Sequence, residues 1–527
     1  MNRAPHRVVD AFEARLEPME IEFHRAYWDS QVHATPGNDE RRTQTELELR
    51  ALKGDPAALD AVEGALGDGM HEPLLTRQLQ VLRMSLTSNQ MSPSQRQELV
   101  EVGSAVESEF AAYRPQVNGK PLSENDVLDI LETSDDVDER KRVWLASKEI
   151  GHRVSGRVRE LARLRNQAAL ERGYADYYQM ALDLQEISEE WLFGVLDRLD
   201  GLTRGPFERW KAALDEQLRT RFATDDLRPW HYPDPFFQYL PNTGEELDLD
   251  RYFPDRSTAA ALALKTFATW GIDLAGVLDR SDLFPRELKC QHAFCLDIDR
   301  TGNDVRVLAN VVPGERWVEI MLHECGHAAY DISIDGRLPY LLRRPTHIFV
   351  TEAMAILSGR LTRHPAWLAE VAGIPTADVD RIADRLTRSS ALQSTMFARW
   401  VLVMAHFERA LYADPETDLD ERWWDLVERF QLLTRPEEHV QGAWASKIHI
   451  AAAPVYYHNY LLGELLASQL EQTLIERCGG FVGNRAAGDF LKERLFHHGS
   501  RARWDKLIEE ALGRPLSPEA FGAQVKV

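Results

Sequence analysis

His323, Glu324, Cys325, Gly326 and His327 stand in a row within Val318–Ile332 (VEIMLHECGHAAYDI). On a helix, residues four apart share one face, so the two imidazoles can grip a single zinc ion. Glu324, beside the first of them, is placed to take a proton from a zinc-bound water. The apolar flank of Val318, Met321, Leu322, Ala328 and Ala329 predicts a buried helix, where two unpaired histidines would be costly. The bland alternative is a helix with two surface or core histidines. A catalytic zinc takes three protein ligands and keeps one position open. The third is expected at Glu352, 25 residues after His327 in Phe349–Gly359 (FVTEAMAILSG). The apolar spacing of that segment predicts a second helix, returning antiparallel after a loop. Asp331 and Asp335 are poorer choices, because they sit on or just beyond the motif helix.

Helical periodicity dominates the elements that must position these residues. Val154–Leu170 places Val158, Leu161, Leu164 and Ala168 three or four apart, and Glu189–Leu214 and Phe490–Leu512 follow the same pattern. Strand-like alternation is best in Cys290–Val312, where two β-rich stretches flank Arg300–Asp304 and predict a hairpin. Breaks at Thr35–Asp39, Pro229–Thr243 and Thr434–Glu438 are too short to be interdomain linkers. A guide of ~150 residues per domain would give three or four domains. The pattern instead predicts one mainly α unit over residues 1–527 with a small β element.

Composition limits the partners. The 527 residues are 44% hydrophobic and 28% charged, with a net charge of −22, which argues against a general binder of nucleic acid or anionic membrane. No stretch approaches the ~20 apolar residues of a membrane span. The amphipathic, charged N-terminus does not resemble a secretory signal. Four cysteines are too few for a disulfide framework, so a cytoplasmic protein with reduced thiols is expected.

The spacing of His323, His327 and Glu352 resembles that of gluzincin peptidases, and the flanking segments look like peptidyl-dipeptidase A, the angiotensin-converting-enzyme family. Ala26-Tyr27-Trp28 resembles its N-terminal helix signature, and Asn166–Ala169 followed by Gly173–Asp176 its NQAA…GYxD segment. Cys290–Cys295 (CQHAFC) looks like its CHASA-type edge strand, Trp423–Leu426 like its WWxL, and Lys447–Tyr460 (KIHIAAAPVYYHNY) like its KxHxxxxxPYxRY block. The resemblance implies a single helical ellipsoid whose two lobes flank a deep central cleft, with one zinc per chain at its floor and the β element lining it.

What the resemblance implies for single residues is specific. Glu324 is the general base. Tyr460 and His449 supply oxyanion donors, although Tyr456, Tyr457 and His458 crowd the same stretch and Tyr460 rests on aligning His458-Asn459-Tyr460 with xRY. His292, Ala293 and Cys295 fall where an extended peptide pairs with the edge strand; the bland alternative for His292 is a hydrogen-bonded core histidine. Lys447, Tyr457 and, by a looser alignment, Gln238 would capture a peptide's C-terminal carboxylate. Three departures follow. Ile356 replaces the acidic residue that orients a zinc histidine, Val427 and Asn459 stand where the family has chloride-binding arginines, and Cys290 lacks its disulfide partner. The expected activity is zinc-dependent release of C-terminal dipeptides from short peptides, without chloride activation. A thimet-type oligoendopeptidase is the second expectation, and a non-catalytic peptide-binding protein on the same fold the third.

Overall fold

A computed structural model of the chain describes residues 4–67, 69, 72–240 and 248–526. Helices carry most of these residues, joined by two two-stranded sheets, so the mainly α expectation holds. The elements that carry the sites are α1 (Ala4–Val32), α2 (Val137–Leu170), α3 (Glu189–Phe222), β1 (Phe294–Asp299), β2 (Asp304–Leu308), α4 (Glu315–Ile332), α5 (Ile348–Gly359), α6 (Thr376–Ala413), α7 (Leu419–Gln431) and α8 (His458–Cys478). The chain divides into two compact units, each built from separated segments. The first comprises Met1–Gln90, Leu247–Thr387 and Leu462–Ala520, and the second Met91–Glu246, Arg388–Leu461 and Phe521–Val527. No helix among the described residues is long and apolar enough to cross a membrane.

In the second unit, α2 starts well before the predicted Val154, because Val143, Trp144 and Ile150 extend the buried stripe of that helix. The Asp136 carboxylate caps it, accepting the N–H groups of Asp138 and Glu139 at 2.9 and 3.1 Å. Leu218 and Phe222, four apart, likewise carry α3 beyond Leu214. The tryptophan pair of α7 is core: Trp423 meets the ring of Trp400 on α6 at 5.8 Å, and Trp424 that of Trp144 at 6.3 Å. Asn166 ties three segments, donating to the Tyr412 carbonyl at 2.8 Å and accepting the Tyr177 N–H at 2.9 Å. Of the Pro229–Thr243 break, residues 241–243 lie outside the described residues.

In the first unit, β1 and β2 form the predicted hairpin, in the antiparallel register Phe294↔Leu308 to Asp299↔Asp304. Asp299 Oδ1 accepts the N–H groups of Thr301 and Gly302 at 2.9 and 2.8 Å, which closes the turn. Phe294, Leu296 and Ile298 pack against Trp28 of α1, so the Ala26-Tyr27-Trp28 segment backs the strand. The single helix expected over Phe490–Leu512 is not formed. It is split into helices Arg485–Arg494 and Trp504–Leu512 around a turn at Phe496–His498. Gly499 there has φ +47°, a Cβ on it would lie 2.5 Å from the Leu342 carbonyl oxygen, and the Ser500 N–H bonds to that oxygen at 2.9 Å. A tertiary contact overrides the local pattern.

Candidate metal centre

His323 and His327 project from one face of α4, with ring centroids 5.1 Å apart. Glu352 on α5 faces both, its Oε1 lying 3.6 Å from His323 Nε2 and its Oε2 3.6 Å from His327 Nε2. One ligand atom from each of the three residues lies within 4.8 Å of the others. Tetrahedral zinc bonds of ~2.0–2.2 Å set donor atoms roughly 3.3–3.6 Å apart, so two imidazoles and a carboxylate at this spacing fit that ion.

The separation of the two helices is set by small residues. A Cβ on Gly326, between Glu324 and His327, would come 2.8 Å from Ala355 Cα, so only glycine lets the backbones approach. At the same crossing, Ser358 Oγ donates to the Leu322 carbonyl at 2.9 Å. Behind Glu352 lies α8, whose Gly463 leaves room for the ligand: a Cβ there would lie 3.0 Å from Glu352 Cγ and 3.2 Å from Ile356 Cδ1. His347 starts α5 by accepting the Phe349 N–H on its Nδ1 at 3.3 Å.

Electrostatics favour a cation here. Burial holds both imidazoles in the neutral, ligating form, with His327 pushed down to about 3 and His323 also lowered. Burial, then the charge of Glu464, pushes the Glu352 carboxyl up to about 7. Burial and Glu315 do the same to Glu319, also up to about 7. A divalent ion would relieve the repulsion among these carboxylates. Glu324 is buried, and its carboxyl is raised mainly by that burial; the Cys295 N–H donates to it. The orienting group missing at Ile356 appears on the other side of the ligand: His327 Nδ1 lies 2.8 Å from Thr351 Oγ1. With Nε2 bound to a metal, Nδ1 would carry the proton and donate it to Thr351 Oγ1. Thr351 carries no signal of its own in the sequence, because the resemblance points to an acidic residue one turn after Glu352 instead.

Cys295 lies on β1, and its side of the strand faces Glu324, Cys325 and Asp331. His292 and Ala293 do not lie on the strand as expected; they occupy the bend before it, and His292 is exposed rather than a core histidine. Pairing stops at Phe294↔Leu308 because the next residue opposite, Ala309, gives its N–H to the Asp282 carbonyl at 2.9 Å and its carbonyl to the buried ammonium of Lys289. All four cysteines, Cys290 included, are free thiols.

The second unit gathers the remaining candidates. Lys447 Nζ donates to Gln238 Oε1 at 3.1 Å and lies over the Phe236 ring at 5.1 Å. Gln238 is fixed by Asp234, whose carboxylate accepts the N–H groups of Phe236, Gln238 and Tyr239. His449, Tyr457 and Tyr460 form one cluster. The His449 ring lies 5.2 Å from that of Tyr457 and 6.5 Å from that of Tyr460, and the Tyr457 hydroxyl accepts from Trp400 Nε1 at 2.8 Å. Burial, then Lys447, lowers His449 to about 4, so its ring is neutral and can donate one N–H; its Nδ1 is buried with no partner among the described residues. Asn459 gives its amide to Gln185, and Val427 is buried.

Known proteins match the chain in two places. The family described as Angiotensin-converting enzyme matches residues 2–194, which include the Tyr27-Trp28 and Asn166–Asp176 segments. Peptidase family M3 matches residues 279–527, which include His323, Glu324, His327, Glu352, His449 and Tyr460. Carboxypeptidase 1 of Bacillus subtilis (strain 168) is 24% identical over 255 residues, covering 43% of this chain; the match spans 50% of that protein's own length. Matches of two peptidase families on one chain, the second enclosing the triad, make the chain similar to the gluzincin metallopeptidases.

Proposed function

We propose that the protein is a zinc-dependent peptidase that acts on short peptides and releases dipeptides from their C-terminal ends. The observation that carries this reading is the convergence of His323, His327 and Glu352 beside a buried Glu324. One zinc per chain, held by the triad, would supply a Lewis acid and an acidified water. Glu324 takes the proton of the attacking water and returns it to the leaving amine, with its carboxylate held by the Cys295 N–H. Neutral His449 and the Tyr460 hydroxyl donate to the oxyanion. Lys447, steadied by Gln238 and near Tyr457, takes the C-terminal carboxylate by a charge-assisted hydrogen bond. The peptide backbone lies along β1 and the Ala293 bend, which His292 borders.

The name of the Bacillus relative, a carboxypeptidase, supports action at the C-terminal end. The match of Peptidase family M3 to the zinc-bearing half supports the second reading, a thimet-type oligoendopeptidase. A non-catalytic peptide binder has no use for Glu324. Four free thiols suit the reducing cytoplasm, where we place the protein.

The test is a matched pair of peptides with free and amidated C-termini. A charge-assisted hydrogen bond of ~1.5–3 kcal/mol corresponds to a preference for the free acid of roughly ten- to a hundredfold in kcat/KM. Lys447→Ala should collapse that preference, and mass spectrometry should find dipeptide products. Equal cleavage of both peptides at internal bonds replaces this reading with the oligoendopeptidase.

A further inference from the structure

Val455 has φ +52°, a left-handed backbone that a β-branched residue adopts only when its surroundings force it. It is buried, and it lies in the turn between His449 and Tyr460. Side chains from distant segments hold both sides of it. Its N–H donates to Glu408 Oε1 of α6 at 2.8 Å. Its carbonyl accepts from Gln185 Nε2 at 3.0 Å, while Gln185 Oε1 accepts from Asn459 Nδ2 at 2.9 Å. Upstream, Arg165 Nη2 of α2 donates to the Ala451 carbonyl at 2.7 Å. The turn is thus fixed at Ala451, at both peptide groups of Val455 and at Asn459, and His449, Tyr457 and Tyr460 alternate with those fixed points.

Glu408 is itself almost fully buried, and a buried carboxyl group is costly unless a donor meets it. The donor it meets is the N–H of the strained residue. Were the turn to relax to negative φ, that N–H would swing away, leaving Glu408 unmatched and the His449–Tyr460 separation unset. We propose that Glu408, with Gln185, is a positioning residue: it locks the Val455 turn and so holds His449 and Tyr460 in the mutual arrangement the reaction needs. The claim rests on the assignment of those two residues to the oxyanion.

The experiment compares Glu408→Leu, Glu408→Gln and Glu408→Leu/Val455→Gly, measuring kcat, KM, zinc content and amide exchange. Glu408→Leu should lower kcat about tenfold or more with KM and zinc content nearly unchanged, and should speed exchange in residues 454–460 by about tenfold or more. Glu408→Gln, which keeps an accepting oxygen, should restore both. The glycine of the double variant takes positive φ without strain, so it should recover exchange protection, and folding too should Glu408→Leu alone not fold. The proposal is overturned if Glu408→Leu leaves exchange and kcat unchanged, if Glu408→Gln is as impaired as Glu408→Leu, if exchange rises evenly throughout, or if the double variant recovers nothing. Tyr460→Phe is the control. If it keeps full kcat, the oxyanion assignment fails, and the exchange data alone decide whether the lock exists.

Discussion

Thr351 Oγ1 lies 2.8 Å from His327 Nδ1, so α5 carries the candidate ligand Glu352 and, one residue earlier, a group that holds the candidate ligand His327 of α4. The hydrogen bond to this hydroxyl holds the ring plane of His327. Thr351→Val keeps the shape and removes the acceptor. Loss of such an outer partner typically costs about 10- to 100-fold in metal affinity, and competition with a chelator should show zinc affinity falling by that order. An unchanged affinity would mean that packing alone orients the ring.

The triad and Glu324 are separable. His323→Ala should leave purified protein without its zinc. Glu324→Gln should retain about one zinc per chain while losing roughly 10²- to 10⁴-fold in turnover, the usual contribution of a general base. Metal analysis beside steady-state rates checks both, and an active Glu324→Gln protein would remove Glu324 from the chemistry.

Activity should be nearly independent of chloride. Val427, at one family arginine position, lines a small cavity with Lys148, Trp144 and Trp423; burial pushes the Lys148 ammonium well below its usual range, which weakens it as an anion site. Asn459, at the other position, is committed to Gln185. Rates in chloride and acetate at matched ionic strength should agree, and a several-fold activation by chloride contradicts the assignment.

Stability should fall as pH rises because of Glu408. Burial holds its carboxyl up at about 8 in the folded chain, against an ordinary value of 4.5. Between those values the folded state keeps a proton that the unfolded chain has released, so the contribution is full below the ordinary glutamate range and is lost as pH climbs to about 8. The slope is at most ~1.4 kcal/mol per pH unit. Glu408→Gln does not titrate, so its stability relative to wild type should increase from pH 5 to pH 8 in denaturant unfolding. A constant difference would show that Glu408 is ionised throughout.

The sequence by itself determined what is local. Spacing of four puts His323 and His327 on one helix face wherever that helix lies, residue type marks Glu352 as their partner, and Arg300–Asp304 encodes a turn between two β-rich stretches. The tertiary structure decided what depends on distant partners. Thr351 rather than residue 356 orients His327, because the crossing of α4 and α5 is set by Gly326 against Ala355, and Ile356 is turned to Gly463. The helical pattern of Phe490–Leu512 yields to the Leu342 carbonyl, and β1 begins only at Phe294 because Asp282 and Lys289 occupy Ala309. The strain at Val455 is set by a carboxyl group 47 residues away. Periodicity records which face of a helix is buried but not what it is buried against, and only the packed chain supplies that partner.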